Sequence, residues 1–184
     1  MAGRTSFRPP RRQDGEAAKA DPSPTPEADL RNAALAMLAR RDFARQDMAE
    51  RLLKRFGDAA PVAPLLDWLE GQQLLDDNRY ARLFVRSRVA RGQGPLRIRQ
   101  ALQQTGISTA LAEEALAEAE CDWFELAAST CQKRFGAVPP ADLKEKARRL
   151  RFLQYRGFTA DQCFAALDAA ALDSSALDGD RLTE

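Results

Sequence analysis

Residues 76–106 read DDNRYARLFVRSRVARGQGPLRIRQALQQTG, and this stretch carries the signals of two consecutive helices. Asp76-Asp77 stands at the expected start of the first helix, where the positive end of the helix dipole favours acidic residues. The run Gly92-Gln93-Gly94-Pro95 then ends one helix with glycine and places proline in the first turn of the next. Gly106 ends the second helix in the same way. The stretch therefore predicts two helices joined by a tight corner.

The closing glycine of this stretch recurs along the chain with a period of about fifty residues. A leucine stands four positions before a glycine in three places, namely Leu53 and Gly57, Leu102 and Gly106, and Leu153 and Gly157. Glycine can take the left-handed conformation that caps a helix. Ala and Leu dominate the apolar residues and only 7% of residues are aromatic, which favours helices over strands.

Repeats of this kind form arrays in which each unit contacts only its neighbours. We therefore predict an all-α protein, an elongated array of three tandem three-helix repeats at residues 30–77, 78–121 and 122–171. The positions predicted to shape helix ends and corners are Gly57, Gly94, Pro95, Gly106 and Gly157. Residues 1–29 are polar and Pro-rich and are predicted to be disordered, and residues 172–184 are predicted to be a frayed tail.

The composition argues against several classes of protein. None of the 184 residues is His, which removes the commonest general base and the commonest metal ligand. Three cysteines without a Cys-x-x-Cys pair indicate reduced thiols, and we expect at least Cys131 and Cys163 to be buried. No apolar run reaches the ~18–20 residues that cross a bilayer. We predict a cytoplasmic monomer that has no cofactor, metal or catalytic residues and no membrane contact.

Charge is segregated along the chain, although the formal net charge is only +1. Residues 78–112 carry seven arginines and no acidic residue, and residues 113–122 then carry five acidic residues and no basic one. Like charges packed this densely favour a surface that binds a polyanion or an acidic protein. The alternative is a solvated helix face whose charges are balanced by Asp and Glu nearby in space.

Three arginines of this run, Arg79, Arg82 and Arg86, have three-and-four spacing and form one stripe on a helix. Arg in place of Lys favours two-pronged contacts with carboxylate or phosphate. A second basic cluster lies in the third repeat, where a solvated face is an equally good interpretation. The candidate partner-binding residues are Arg79, Arg82, Arg86, Arg91, Arg97, Arg99, Lys144, Arg148, Arg149 and Arg151.

These residues resemble the RecX family, the regulatory proteins of bacterial RecA recombinase. The resemblance is carried by Leu74-Leu75-Asp76-Asp77-Asn78-Arg79-Tyr80-Ala81, by Phe84-Val85-Arg86-Ser87-Arg88 and by Gly92-Gln93-Gly94-Pro95-Leu96-Arg97-Ile98-Arg99. Residues 34–45 are also similar to the family's first helix and turn, and the likeness spans about residues 30–170. The first repeat departs from the pattern, because Phe56-Gly57 stands where glycine followed by an aromatic residue is usual.

The resemblance implies three tandem three-helix repeats and a role without catalysis. RecX proteins associate with the RecA filament on single-stranded DNA and limit its extension, its ATP hydrolysis and strand exchange, within DNA repair and the SOS response. Direct binding to single- or double-stranded DNA stays open. The alternative is a helix-turn-helix transcription regulator with Arg97 and Arg99 on its recognition helix. Against it, a recognition helix usually offers Asn, Gln or Ser to base edges, and the Gly-Pro corner serves bundle packing equally well.

Overall fold

The computed structural model describes residues 25–179, with side chains described to residue 169. This part of the chain contains nine helices and no strand. The helices are α1 (Pro26–Leu38), α2 (Arg45–Phe56), α3 (Val62–Gly71), α4 (Asp77–Val89), α5 (Pro95–Gln104), α6 (Thr109–Ala117), α7 (Trp123–Phe135), α8 (Leu143–Arg156) and α9 (Ala160–Gly179). The extensive helix–helix contacts all fall inside the triplets α1–α3, α4–α6 and α7–α9. The prediction of an all-α chain of three tandem three-helix repeats is confirmed.

Local sequence explains where most helices begin. Asp76, Ser108, Asp122 and Asp142 each accept a hydrogen bond from a backbone N–H in the first turn of the following helix. Each cap satisfies at least one of the N–H groups that have no partner inside the helix, and Asp122 satisfies two. The helix ends are therefore set by short polar side chains that precede apolar runs.

Glycine ends the second helix of the third repeat as the sequence predicts. Gly157 has a φ of +91°, in the left-handed region, and its N–H bonds to carbonyl oxygens in the last turn of α8. Phe158, which follows it, is buried against that repeat's core. In the first repeat Gly57 also has a positive φ, +85°, and its N–H donates to Leu53 O, so the inverted Phe56-Gly57 order still closes the helix.

Each triplet of helices surrounds its own apolar core. The three cores are centred on Met48, Leu52 and Leu69 in the first repeat, on Val85, Ile98 and Leu102 in the second, and on Leu153, Phe158 and Cys163 in the third. Both Cys131 and Cys163 are buried, as predicted, and burial raises the pKa of each thiol. Separate cores explain why each repeat can pack as a unit and meet its neighbours through smaller contacts.

The structure corrects two details of the sequence interpretation. Helix α1 begins at Pro26, inside the predicted disordered tail, because Thr25 caps it and proline suits a first turn. Helix α9 continues to Gly179, past the point where fraying was predicted. The rest of the two predicted tails, residues 1–24 and 180–184, lies outside the described residues.

Two features are absent from the described residues, 25–179. No helix in this part of the chain is both long and apolar enough to span a membrane. The same residues hold no group of three side chains suited to binding a metal ion.

Candidate partner-binding surface

The joint between repeats 1 and 2 occupies one of the candidate arginines. Arg79 donates from Nε to Asp42 Oδ1 at 3.1 Å, across the boundary between the repeats. Its two terminal nitrogens donate to the carbonyl oxygens of Gln73 and Leu74, at 3.0 and 3.1 Å. Three of its five N–H groups are therefore used inside the protein. Arg79 therefore serves mainly to hold the joint together, and only two of its N–H groups remain to bind a partner.

A carboxylate at the start of α4 also caps a helix of repeat 1. The Asp77 side chain accepts a hydrogen bond at 2.8 Å from the backbone N–H of Arg45, at the start of α2. Ala44, the N-cap residue of α2, has no side chain that could accept this bond. Burial raises the pKa of Asp77, and the hydrogen bond from Arg45 opposes that rise only in part. Asp76 and Asp77 thus divide two tasks, since Asp76 caps α4 itself.

The predicted stripe on α4 lines one groove. Arg79, Arg82 and Arg86 lie along the wall of an open depression between α4 and α6, with a largely apolar floor. The other residues that line it are Leu83, Ala115, Glu118 and Ala119. The sequence predicted the shared face, and the structure adds the neighbouring helix that turns the face into a groove.

Within this groove the charges are only lightly held. Arg82 meets Glu118 at 3.4 Å, with both side chains about half exposed. An ion pair of this kind contributes about 0–1 kcal/mol, because water and salt screen it. Arg86 is exposed and belongs to none of the ion pairs among the described residues. The guanidinium groups of Arg82 and Arg86 therefore lie beside an apolar floor and are held by no strong contact within the protein.

The acidic block 113–122 balances part of the basic run, as the alternative interpretation expects. Arg99 forms a two-pronged contact with Glu113, one arm of which measures 3.1 Å from Nη2 to Oε2. Together with the contact between Arg82 and Glu118, this places α6 as a partial counter-charge to α4 and α5. Arg99 is consequently a weaker candidate for partner binding than Arg86.

The joint between repeats 2 and 3 is made by backbone at very short range. The Gly94 N–H donates to Arg156 O at 2.9 Å, and the Leu96 N–H donates to Gly157 O at 3.0 Å. A Cβ atom on Gly94 would lie 2.5 Å from the backbone nitrogen of Phe158, closer than real Cβ atoms approach. Repeats 2 and 3 can approach this closely only because residue 94 is glycine. The sequence predicted Gly94 as part of the corner before α5, but not this contact with repeat 3.

Arg97 is also used at this joint. Its Nη1 donates to Tyr155 O at 2.8 Å, and its guanidinium lies 4.8 Å from the centre of the Tyr155 ring. A Cβ on Gly157 would come within 2.5 Å of the Arg97 backbone nitrogen. Since Arg97 and Arg99 both bond within the protein, they are poorly placed to act as the base-reading pair of a recognition helix. The engagement of both arginines inside the protein weighs against the helix-turn-helix alternative.

In the third repeat, the candidate Arg149 proves to be internal. It is only 2% exposed, donates to Glu145 Oε1 at 2.6 and 3.2 Å and donates to Val138 O at 2.7 Å. The Arg149 contact lowers the pKa of Glu145. Because its charge faces the core and the preceding loop, little of Arg149 is left for a partner, and its position argues against this one of the predicted binding residues. Lys144, Arg148 and Arg151 are exposed on the same helix.

The fold and this surface define a class: a helical protein of tandem three-helix repeats that presents arginine-rich grooves. Comparison with known proteins narrows the class. Family models for the second and third three-helix domains of RecX match residues 76–116 and 120–167. The regulatory protein RecX of Halorhodospira halophila is 49% identical over 77% of this chain and 88% of its own length. That of Vibrio parahaemolyticus is 37% identical over 77% of this chain and 92% of its own length.

Solved structures agree with these matches. A crystal structure of RecX from Lactobacillus salivarius has a TM-score of 0.67 and 21% identity, and covers 80% of this chain and 97% of its own. A second crystal structure of a regulatory protein RecX has a TM-score of 0.65 and 28% identity, over 78% and 73% of the two chains. The chain belongs to the RecX family, and the resemblance found in its sequence is confirmed. Its relatives are named regulatory proteins, and a regulatory role is the function they support.

Proposed function

We propose that this protein binds the RecA filament on single-stranded DNA and limits filament extension, ATP hydrolysis and strand exchange. It does so as a monomer in the cytoplasm, without a catalytic step of its own. Family membership supports a regulatory role. The groove between α4 and α6 supplies the observation that carries the contact, since Arg82 and Arg86 line its wall beside Leu83, Ala115 and Ala119.

The chemistry of this groove favours a carboxylate-bearing protein surface. Its apolar floor can bury aliphatic groups, while Arg82 can exchange the exposed Glu118 for an acid of the partner. Such an exchange costs little, because the internal pair is worth about 0–1 kcal/mol. A guanidinium that then meets a carboxylate in a water-poor groove gains a charge-assisted bond of about 1.5–3 kcal/mol.

The test is the RecA ATPase on single-stranded DNA, titrated with this protein. Arg82→Gln combined with Arg86→Gln removes both guanidinium groups and leaves Arg79, which holds the joint, in place. Loss of one charge-assisted bond already corresponds to about a tenfold shift. We therefore expect half-inhibition to require at least about tenfold more of this variant.

A matched control changes the net charge equally. Arg40→Gln with Lys54→Gln removes two exposed cations of repeat 1 that lie outside the groove. This variant is expected to inhibit like the unmodified protein. Inhibition by the groove variant that equals the control would take the groove out of the interface. If the unmodified protein leaves the ATPase unaffected at every concentration, the proposed function itself fails.

A further inference from the structure

The segment that joins α7 to α8 exposes two large aliphatic side chains. Val138 is 70% exposed and Leu143 is 84% exposed, and both belong to the corner formed by residues 136–143, here called the α7–α8 corner. Among the exposed large apolar side chains of the described residues, only Tyr155 is comparable, at 74%, and the others are at most 51% exposed. A single apolar residue on a surface is ordinary, but two on one short segment indicate a surface that another molecule covers.

A buried arginine holds this corner in place. Arg149 donates from Nη1 to Val138 O at 2.7 Å, and from Nε and Nη2 to Glu145 Oε1 at 3.2 and 2.6 Å. The other carboxylate oxygen of Glu145 accepts a hydrogen bond from the backbone N–H of Ala141 at 3.0 Å. Asp142 adds the cap of α8. The corner is therefore tied to α8 at both of its ends.

A buried charge is a costly way to close a loop. Removal of a guanidinium from water is unfavourable, and only its hydrogen bonds and the carboxylate beside it offset that cost. The aliphatic side chains of the corner nevertheless remain mostly in water. Pro139 and Pro140 restrict the backbone between them further. A corner fixed in this way presents its apolar side chains in one arrangement, which reduces the entropy lost when a partner binds.

Positive charge continues from this corner along α8. Lys144, Arg148 and Arg151 follow one another at spacings of four and three, so they share one face of the helix that Leu143 begins. All three are exposed, and none belongs to an ion pair among the described residues. A partner that fits this surface therefore offers an apolar pocket with carboxylates beside it.

We propose that the α7–α8 corner is a second contact with the filament protein, RecA, in which Val138 and Leu143 enter an apolar pocket rimmed by carboxylates. The inference rests on the proposed function, because it takes the same partner. A protein pocket removes both aliphatic side chains from water, whereas contacts with the phosphates of DNA use only the cations. The corner belongs to repeat 3 and the groove between α4 and α6 to repeat 2, so the two contacts strengthen each other when both are made.

The RecA ATPase on single-stranded DNA, titrated with the full chain, tests this contact. Val138→Ser combined with Leu143→Ser leaves every charge in place and removes most of the apolar surface of the corner. Burial of one aliphatic side chain corresponds to about tenfold in affinity or more, so half-inhibition is expected to require at least about tenfold more of this variant. Because both side chains are exposed, circular dichroism and urea unfolding are expected to match those of the unmodified protein.

A matched control removes an exposed apolar side chain at the other end of α7. Phe124 is 51% exposed in the first turn of that helix, about 17 Å along its axis from the corner. Phe124→Ser is expected to inhibit like the unmodified protein.

Arg149→Met tests whether the buried arginine positions the corner. It removes the hydrogen bond to Val138 O and leaves both aliphatic side chains in place, so half-inhibition is expected to require about twofold to tenfold more protein. Added to Val138→Ser with Leu143→Ser, the same substitution is expected to have no further effect, because no apolar contact is left to position. A purely structural defect would weaken inhibition equally in both backgrounds.

Anisotropy of a fluorescein-labelled oligodeoxythymidine in the absence of RecA separates the two classes of partner. Val138→Ser with Leu143→Ser is expected to bind it like the unmodified protein. A loss of oligonucleotide binding as large as the loss of inhibition would make the corner a nucleic-acid contact and overturn the proposal.

Inhibition by the double serine variant that equals inhibition by Phe124→Ser would overturn the proposal as well. That result would leave the groove between α4 and α6, and the proposed function, standing. Absence of inhibition by the unmodified protein is the separate failure of the proposed function, and the corner then loses the partner that the proposal assigns to it.

Discussion

Substitution of Gly94 by Ala is expected to weaken the joint between repeats 2 and 3. Gly94 has a φ of −82°, so alanine fits its backbone conformation without strain. Any loss must come from the added methyl group, which would lie 2.5 Å from Phe158 N and closer still to Gly157. To reach an ordinary contact, the two repeats must move apart by about 1 Å.

The magnitude follows from what this movement disturbs. Overpacking of a well-fitted contact costs about 1–3 kcal/mol. The hydrogen bonds from Gly94 to Arg156 and from Leu96 to Gly157 contribute about 0.5–1.5 kcal/mol each and weaken together. A gain of about 0.4–1 kcal/mol from the stiffer unfolded chain offsets part of the loss. We expect the joint to lose about 3 kcal/mol.

Amide hydrogen exchange measures this loss locally. Opening of the joint frees the Leu96 N–H, and 3 kcal/mol corresponds to roughly hundredfold faster exchange. Amides inside α2, in repeat 1, are expected to keep their rates. Urea unfolding followed by circular dichroism gives the accompanying change in overall stability.

Matched glycines separate the steric cause from the residue change. Gly71→Ala has an ordinary φ and meets nothing within 4 Å, and is expected to be neutral or slightly stabilising. Gly57→Ala and Gly106→Ala both place alanine at a positive φ, +85° and +89°, but only Gly106 is crowded, with Gln46 Cδ at 2.7 Å. Gly106→Ala is therefore expected to cost about 1–3 kcal/mol more than Gly57→Ala. If Gly94→Ala exchanges and unfolds like Gly71→Ala, the repeats do not approach as described and the reasoning is refuted.

Substitutions at three further positions test the polar contacts that the sequence did not reveal. Arg149→Met keeps an apolar chain in the place of the buried arginine stem and leaves the partly exposed Glu145 in water, so we expect the free energy of thermal unfolding to fall by at most about 1.5 kcal/mol. Arg149→Ala opens a cavity and is expected to lower that free energy by about 2–4 kcal/mol. Asp77→Ala removes the cap of α2 and is expected to lower the free energy of unfolding in urea by about 1 kcal/mol. Asp77→Asn keeps an oxygen that accepts the hydrogen bond and removes the carboxylate, whose pKa burial raises, so it is expected to leave that free energy unchanged. An equal loss in both variants would refute the capping role. Because the contact with Arg149 lowers the pKa of Glu145, it stabilises the fold at pH values above the ordinary pKa of 4.5, and this stabilisation is lost as the pH falls through the lowered pKa. The difference in stability between the unmodified protein and Glu145→Gln should therefore shrink on acidification. A difference that does not depend on pH would contradict this.

The sequence predicted the helices and the repeat because both depend on neighbouring residues. Caps such as Asp76 and closing glycines such as Gly157 act within one turn of the chain, and apolar spacing fixes which face is buried. The shared face of Arg82 and Arg86 follows from helix geometry alone. These parts of the interpretation needed no knowledge of what lies across the joint.

The sequence could not show burial that depends on distant residues. Arg149 and its exposed neighbour Arg148 are indistinguishable in a list of charges, yet the path of the loop that contains Val138 decides that one is enclosed. The cap that Asp77 gives to α2 spans 32 positions, so no local pattern could show it.

What the chain itself determines is the number, type and order of its helices, the period of its repeat and the excess of arginine in the middle third. Only the tertiary structure decides which arginines bond at the joints, which are paired with α6, and which stay open beside the groove. The physical reason is range: caps and periodicity act over one or two turns, whereas the burial and pairing of a charge depend on whatever segment the fold brings within about 4 Å of it.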